Sequence, residues 1–342
     1  MKEEELTVLI GGLGFMVEEY VQIVKQRFPR LKILPYPVLA ETDTSQTPEG
    51  VEGVDVIASF NAYPHAMSKI RNLKWFQTLM TGYEHILSTK LVPQEVFLTT
   101  AAGTVSIPVA EVVMGYLLFF VKKFRTSLES QKIHKMDRML GQMRELHERN
   151  IGILGLGHLG KEIAKKAKLG FGMHVLAYDN AVTEYEYADV IYPPGKLDEV
   201  LKASDFVVIA LPHIPETEDL INERELELMK PTAYLVNIAR GEVLNKAAFS
   251  QALKEKRIAG AAIDVFWGDP TKEAVLDEDD ELWDFENLFI TAHNATGTDR
   301  YVMRTGNFFC DNLERFIRGE TLLNIVKVKI VQDSAGEGDE ID

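Results

Sequence analysis

The chain has 342 residues, of which 46% are hydrophobic, and its 37 basic and 52 acidic residues give a formal net charge of −15. This length exceeds what one hydrophobic core usually organises, so we expect two domains of roughly 100 to 200 residues each. The negative charge argues against nucleic acid or an anionic membrane as a partner. The single cysteine, Cys310, excludes an internal disulfide framework and a cysteine-rich zinc site.

The composition of the first residues indicates a cytoplasmic location. They read M-K-E-E-E-L, which is acidic where a signal peptide carries positive charge. The apolar run at 107–121 contains Pro108, Glu111 and Gly115, and it is shorter than the ~20 residues that a bilayer requires. We therefore expect neither export nor a membrane anchor.

The first 100 residues alternate short apolar runs with helical and turn-rich segments, a pattern typical of a parallel α/β sheet. A small doubly wound domain is therefore predicted. The segment G-G-L-G at 11–14 resembles a nucleotide loop, but Val17 stands where a third glycine is needed. The predicted strands lie at 6–10, 31–34, 54–58, 73–79 and 96–100.

An interdomain hinge is predicted at 99–108, followed by a helix at roughly 108–125. The helix is apolar nearly all round, which predicts burial on every side. Either a subunit interface or its own domain could supply the covering surface. Its proline, Pro108, suits a helix start.

Residues 150–179 combine a strand, a glycine loop, a helix and a second strand that ends in an acid. Gly155 permits the tight turn, Gly157 lets the backbone approach a pyrophosphate, and Gly160 allows close helix–strand packing. Asp179 lies 19 residues beyond Gly160, near the roughly 20 expected for a carboxylate that binds the ribose hydroxyls. Because this carboxylate would repel a 2′-phosphate and no arginine follows it, we expect NAD as the cofactor rather than NADP.

The β–α alternation then continues through a predicted six-stranded dinucleotide-binding sheet, with strands at 151–154, 173–178, 206–211, 233–238, 258–264 and 288–292. Polar residues follow its last three strands. They are Arg240, then Asp264 and Asp269, then His293. The carboxyl ends of parallel strands share one edge, so these groups should converge on one crevice. Arginine can grip a carboxylate and histidine can transfer a proton near neutral pH.

Over nearly its whole length the chain resembles the D-isomer-specific 2-hydroxyacid dehydrogenase family. The resemblance is carried by G-L-G-H-L-G-K-E-I-A, A-L-P-H-I-P-E-T-E-D-L-I-N, L-V-N-I-A-R-G-E-V-L, I-A-G-A-A-I-D-V-F and L-F-I-T-A-H. It implies an α/β fold of two doubly wound parallel-sheet domains, with a Rossmann NAD-binding domain inserted in a flavodoxin-like substrate-binding domain. The implied bounds are 1–100 with 296–330 for the substrate domain, 101–295 for the NAD domain, and 331–342 for an acidic, disordered tail.

The resemblance also implies roles for individual residues. The catalytic residues are Arg240, His293 and Asp269, the last being the acid that partners the histidine. Thr81 and Gly82 bind the substrate together with Arg240 and His293. No metal is implied. The implied cofactor-binding residues are Gly155, Leu156, Gly157, His158, Leu159, Gly160, Asp179, Leu211, Pro212, Thr217, Ile238, Ala239 and Asp264.

Several positions depart from the family pattern. Asp269 replaces the usual glutamate and is one methylene shorter, so its contact with His293 needs a small backbone shift or becomes longer. Asn294 and Thr296 replace small residues after the histidine. Tyr83 stands where a small apolar residue is commoner, and it either contacts the substrate side chain or packs against the hinge.

The expected function is hydride transfer between NAD(H) and a small D-2-hydroxy acid/2-oxo acid pair, such as glyoxylate or hydroxypyruvate, by a homodimer. The sequence leaves three alternatives open. They are a phosphite dehydrogenase, a phosphoglycerate dehydrogenase, and a corepressor-like sensor of NAD(H) with little turnover.

Overall fold

The structure is a computed structural model that describes residues 2–38, 47–139, 141–268 and 275–326. The chain divides into two compact units, Met1–Ala101 with Gly306–Asp342 and Ala102–Thr305. The predicted tail at 331–342 and the predicted catalytic acid Asp269 lie outside the described residues.

The first unit is built on a five-stranded parallel sheet in the order β2-β1-β3-β4-β5. This is the flavodoxin-like order, as expected. Its strands are β1 (Thr7–Leu13), β2 (Lys32–Val38), β3 (Val56–Ser59), β4 (Trp75–Thr78) and β5 (Phe97–Thr99), and its helices are α1 (Gly14–Arg27), α2 (Pro64–Met67) and α3 (Glu84–Ser88).

The position of each strand in this sheet follows from its composition. All residues of β3 and β4 are buried, which suits apolar strands at the centre of a parallel sheet. The edge strand β2 contains Pro35 and Pro37 and pairs only with β1. Proline is tolerated there because an edge strand needs one row of hydrogen bonds rather than two.

The second unit contains a seven-stranded sheet in the order β12-β11-β10-β9-β6-β7-β8. Its strands are β6 (Asn150–Leu154), β7 (His174–Tyr178), β8 (Val190–Tyr192), β9 (Phe206–Ile209), β10 (Tyr234–Asn237), β11 (Gly260–Ile263) and β12 (Leu288–Ile290). Its helices are α4 (Ser106–Val121), α5 (Phe124–Lys132), α6 (His158–Phe171), α7 (Leu197–Ala203), α8 (Glu223–Leu228), α9 (Lys246–Lys254) and α10 (Tyr301–Arg318), the last of which continues into the first unit.

The strand order confirms the expected Rossmann architecture. The chain runs outward from β6 through β7 to β8, then returns to the other side of β6 with β9, β10, β11 and β12. The order therefore reverses between β6 and β9, where ligands bind in open α/β sheets. The sheet has seven strands rather than the six predicted. The additional strand is β8, which is only three residues long and has no buried residue, so no apolar run marks it in the sequence.

The apolar helix predicted at 108–125 is two helices. Lys123 adopts a left-handed conformation with φ of 56° and separates α4 from α5. α4 packs on α6, has nine buried residues and is part of the core of its own unit. It is not buried on every side, because Ile107, Glu111 and Gly115 are exposed. In contrast, α5 has no buried residue.

The C-terminal part of α10 completes the first unit. The rings of Phe309 and Phe316 each lie 5.4 Å from the ring of Trp75, which is fully buried in β4. Cys310 lies buried in the same helix, as expected of a core thiol. Within the described ranges, none of the helices combines the length and apolar character needed to span a bilayer.

Candidate active site and nucleotide loop

The glycine loop joins β6 to α6 in the second unit. Gly155 has a φ of 100°, which favours glycine, and its N–H donates to the carbonyl oxygen of Tyr178 at 2.8 Å. A Cβ at Gly155 would lie 2.8 Å from the backbone oxygen of Ala210, and one at Gly160 would overlap the carbonyl oxygen of Gly155. The internal packing of the unit therefore requires glycine at both positions.

Gly157 is a glycine for a different reason. It caps the N-terminus of the 14-residue helix α6, it is exposed, and a Cβ there would contact nothing within 4 Å. Packing inside the unit thus does not require glycine at position 157. Close approach of a ligand to the backbone would explain why this residue has no side chain. A helix N-terminus with free N–H groups suits the pyrophosphate of a dinucleotide. The neighbouring residues range from buried Leu156 to half-buried Leu159 and exposed His158.

Asp179 follows β7 and binds the same loop. Its Oδ2 accepts the N–H of Leu156 at 2.7 Å, and its Oδ1 accepts the N–H groups of Ala181 and Val182 at 2.8 Å each. Burial alone would raise the pKa of this carboxyl, but the three backbone donors and nearby Lys161 lower it below 3.8. Asp179 is therefore an anion fixed beside the glycine loop.

The loop after β9 leaves the sheet beside the glycine loop, because β9 pairs with β6. The buried hydroxyl of Thr217 donates to the carbonyl oxygen of Pro212 at 2.7 Å and accepts the N–H of Ile214 at 3.0 Å. Half-buried Leu211 precedes this turn. Thr217 thus maintains the shape of the loop, while Leu211 and Pro212 form its surface.

Arg240 lies on a turn after β10 that is held by a buried side chain. The Asn237 amide accepts the N–H of Ala239 at 3.1 Å and donates to the carbonyl oxygen of Arg240 at 2.9 Å. Ile238 and Ala239 are each 7% exposed. Since the peptide groups on both sides of the turn are fixed, the half-buried Arg240 side chain starts from a defined backbone position.

His293 lies on a second turn, after β12, and Asp264 holds that turn. Oδ1 of Asp264 accepts the hydroxyl of Thr291 at 2.5 Å and the N–H of Asn294 at 3.1 Å, and Oδ2 accepts the N–H of Ala295 at 3.1 Å. Asp264 is 3% exposed, whereas His293 is exposed. The buried carboxylate thus binds the backbone on either side of the position that presents the imidazole.

The two turns are neighbours at one edge of the sheet. β10 pairs with β11 and β11 with β12, all parallel, so Arg240, Asp264 and His293 follow the ends of three adjacent strands. The N–H of Asp264 also donates to the carbonyl oxygen of Asn237 at 3.1 Å. The two buried polar residues are therefore joined through the backbone.

The predicted substrate loop belongs to the first unit. Thr81 and Gly82 follow β4, and Thr81 is exposed while Gly82 is half-buried. The loop is anchored around Met80, whose N–H donates to Oγ1 of Thr78 at 3.2 Å and whose carbonyl oxygen accepts the N–H of Ala101 at 2.8 Å. Tyr83 is half-buried, and its N–H donates to the carboxylate of Glu84 at 2.9 Å.

Sequence reasoning missed three polar residues of the second unit. Asn237 is fully buried at the end of β10, Thr291 follows β12, and Tyr116 lies in the apolar helix α4 with its hydroxyl 2.5 Å from that of Thr291. Burial raises the pKa of Tyr116, and the charge of Asp264 raises it further. A polar residue inside an otherwise apolar element was the signal available in the sequence for Asn237 and Tyr116.

Comparison with known proteins agrees with this arrangement. The family model described as D-isomer specific 2-hydroxyacid dehydrogenase, NAD binding domain, matches residues 114–295. A glyoxylate reductase of Pyrococcus furiosus is 41% identical over 189 residues, which are 54% of this chain and 54% of that protein. The chain thus spans about half the length of several curated relatives that it matches.

Solved structures cover more of the chain. A D-isomer specific 2-hydroxyacid dehydrogenase family protein from Aeromonas salmonicida has a TM-score of 0.82 at 28% identity, covering 94% of this chain and 99% of that one. A D-isomer specific 2-hydroxyacid dehydrogenase from Xanthobacter autotrophicus Py2, in complex with NADPH and MES, has a TM-score of 0.80 at 24% identity, with coverage of 94% and 98%, and supports the fold. With its two parallel sheets, its glycine loop and the matched NAD-binding domain, the chain belongs to the D-isomer specific 2-hydroxyacid dehydrogenase family.

Proposed function

We propose that the protein is an NAD-dependent oxidoreductase that transfers a hydride between NAD(H) and a small D-2-hydroxy acid/2-oxo acid pair, such as glyoxylate or hydroxypyruvate. One observation carries this proposal. Arg240 and His293 follow strand ends at the edge of the sheet that carries the glycine loop, and a buried side chain holds the turn of each. A cation and a proton donor beside a dinucleotide loop are the groups that carbonyl reduction needs.

The residues of the glycine loop fit a dinucleotide. The N-terminus of α6 with exposed Gly157 would hold the pyrophosphate, and Asp179 would accept the ribose hydroxyls. Asp179 is already an anion, so a 2′-phosphate would meet a negative charge at this point. This favours NAD over NADP. Leu211, Pro212, Ile238 and Ala239 would complete the cofactor surface.

In the proposed reaction, Arg240 and the backbone N–H groups of Thr81 and Gly82 bind the carboxylate of the oxo acid. A charge-assisted contact of this kind contributes about 1.5 to 3 kcal/mol. The hydride comes from the reduced nicotinamide when the cofactor is bound. Protonated His293, with Asp269 as its partner, donates a proton to the carbonyl oxygen and becomes the neutral imidazole. In the oxidative direction His293 takes the proton back.

The proposal is tested with a panel of 2-oxo acids and either NADH or NADPH, followed by nicotinamide absorbance. We expect reduction of at least one small oxo acid with a preference for NADH. His293→Gln should lower kcat by about 100-fold or more, since a general acid contributes about 100- to 10,000-fold, with NADH affinity unchanged. The matched control is His174→Gln, since His174 is exposed at the opposite end of β7 from Asp179. Inertness toward the whole panel would favour a nucleotide sensor instead.

We also propose that the protein is a homodimer. Four large apolar side chains in α5 and at residues 133–136 are exposed, and we call them the α5 patch. They are Phe124 (47%), Leu128 (55%), Ile133 (71%) and Met136 (95%). Phe124 and Leu128 share a helix face because they are four residues apart. An apolar patch on the surface is typical of a protein interface, and a second copy of the chain would cover it.

A further inference from the structure

The hydroxyl of Tyr116 lies at one end of a hydrogen-bonded chain that leads to Asp264. It is 2.5 Å from Oγ1 of Thr291, and the Thr291 hydroxyl donates to Oδ1 of Asp264 at 2.5 Å. A carboxylate only accepts, so it takes the single hydroxyl proton of Thr291. Tyr116 must therefore be the donor to Thr291, and every proton in the chain has a defined direction.

The other contacts of Asp264 lead to the turn of His293. Its two oxygens accept the N–H groups of Asn294 and Ala295, the two residues that follow the histidine. His293 itself has a φ of 50°, a left-handed conformation that is uncommon for a non-glycine residue. Asp264 is the buried group that binds the backbone immediately after this residue.

We infer that Tyr116 is a positioning residue for His293, acting through Thr291 and Asp264. The hydroxyl of Tyr116 occupies the acceptor side of Thr291 and so fixes the Thr291 rotor with its proton on Asp264. Asp264 then remains oriented to bind both N–H groups of the turn. The catalytic part of this inference rests on the proposed role of His293 as the proton donor, whereas the link to the turn does not.

The surroundings of Tyr116 support a constant donor role. Its side chain is 2% exposed, and burial raises its pKa, so the phenol stays protonated through the neutral range. Its ring packs edge-on against Phe289 at 5.6 Å. Phenylalanine would retain this packing, and Tyr116→Phe therefore removes the hydroxyl alone.

The kinetic test uses Tyr116→Phe and Thr291→Val, with Thr291→Ser as the conservative variant that keeps a hydroxyl. We expect kcat for oxo acid reduction to fall about tenfold in the first two, since a misplacement of about 1 Å of a reacting group can cost about 100-fold and the shift expected here is smaller. The KM for the oxo acid and the Kd for NADH should stay within about twofold, and Thr291→Ser should recover most of the activity. The double variant Tyr116→Phe/Thr291→Val should be no slower than Thr291→Val. Additive losses, or an unchanged kcat in Tyr116→Phe, would overturn the inference.

A second measurement does not depend on activity. Hydrogen–deuterium exchange of the segment 291–297 should become about tenfold faster in Tyr116→Phe and Thr291→Val but not in Thr291→Ser. Tyr234→Phe is the control, because Tyr234 is a buried tyrosine at the start of β10, at the end of that strand away from Arg240. If the unmodified enzyme reduces no oxo acid, the proposed function fails. Hydrogen–deuterium exchange alone then tests whether Tyr116 positions the turn of His293. Unchanged exchange in Tyr116→Phe overturns it.

Discussion

At the scale of the residue, the carboxylates of Asp179 and Asp264 in the second unit form hydrogen bonds with the backbone. Asp179 binds three N–H groups, and Asp264 binds two N–H groups and a hydroxyl. A carboxylate offers about four acceptor positions, so each retains about one for a ligand. The expected roles of both residues in cofactor binding, with Asp179 at the ribose hydroxyls, are compatible with this remaining position.

The depressed pKa of Asp179 leads to a prediction about stability. The carboxylate stabilises the folded protein above its unfolded pKa of about 3.8, and this contribution is lost as the pH falls through the lower pKa of the folded state. Asp179→Asn should therefore be less stable than the unmodified protein by about 1 to 2 kcal/mol at pH 7, somewhat less than a full charge-assisted hydrogen bond because Asp179 is only half-buried. The difference should narrow below pH 3.8. Thermal unfolding between pH 3 and pH 7 measures it.

The control for this variant is Asp284→Asn, which removes an exposed carboxylate from the same unit. Its stability relative to the unmodified protein should change little over the same range. A constant difference between the Asp179→Asn variant and the unmodified protein from pH 7 to pH 3 would contradict the role assigned to the charge.

Individual residues could be predicted from the sequence where a strand end marked them. Arg240 and His293 were identified because each follows an apolar run, and the structure places both at strand ends. Their supporting residues could not be identified in that way. Tyr116 and Thr291 lie 175 positions apart, and no local pattern indicates that two distant hydroxyl groups meet. Asp269 as the partner of His293 remains a prediction.

At the scale of the element, the strand–loop–helix unit β6–α6 separates two uses of glycine. Gly160 is required by packing, since its Cβ would overlap the Gly155 carbonyl oxygen, whereas Gly157 has no neighbour within 4 Å of a Cβ. The same motif thus contains one glycine that serves the fold and one that is free to serve the ligand.

This difference predicts that glycine-to-alanine substitutions at the two positions affect different properties, namely stability at Gly160 and cofactor affinity at Gly157. Gly160→Ala should lower the free energy of unfolding by about 1 to 3 kcal/mol, because α6 must move away from the loop. Gly157→Ala should change stability by about 1 kcal/mol or less but raise the Kd for NADH roughly tenfold, or about 1.4 kcal/mol. Denaturant unfolding and NADH titration measure the two quantities. Equal stability of the two variants would refute the packing argument.

Most elements could be predicted from hydrophobic periodicity, and the exceptions have physical causes. β8 is short and only half-buried or exposed, so it lacks the apolar run that marks a central strand. The break between α4 and α5 depends on a left-handed Lys123 in a lysine pair, which the apolar pattern around it does not encode. β2 extends to Val38 through two prolines, because its position at the sheet edge removes the usual penalty.

At the scale of the whole molecule, the α5 patch leads to a prediction about assembly. Leu128→Glu combined with Ile133→Glu places two charges in the patch and should convert the proposed dimer to a monomer. Leu169→Glu is the control, since Leu169 is also exposed (65%) but lies on α6. Sedimentation velocity measures the result. A dimer that survives the double substitution, or a monomeric unmodified protein, would disprove the proposed interface.

The fold class of both units could be predicted because alternating strands and helices leave few topologies for a parallel sheet. The strand orders then agreed with the two doubly wound patterns expected from the family resemblance. The chain divides within α10, at 305/306, while the expected boundary was 295/296. No sequence signal marks a division there, because α10 is a continuous helix that passes from one unit to the other.

The packing of Trp75 against Phe309 and Phe316 has a consequence for the order of folding. The sheet that contains Trp75 lies before residue 102 in the chain, whereas the part of α10 that covers this ring lies after residue 305. Contacts between segments so distant along the chain form slowly, because a long loop must close first. During synthesis on the ribosome, the whole of unit 102–305 is made before Phe309 and Phe316, so this unit can fold while the Trp75 ring has no helix packed against it. The nucleotide-binding half is therefore expected to mature first, and the N-terminal sheet must wait for α10 to be synthesised.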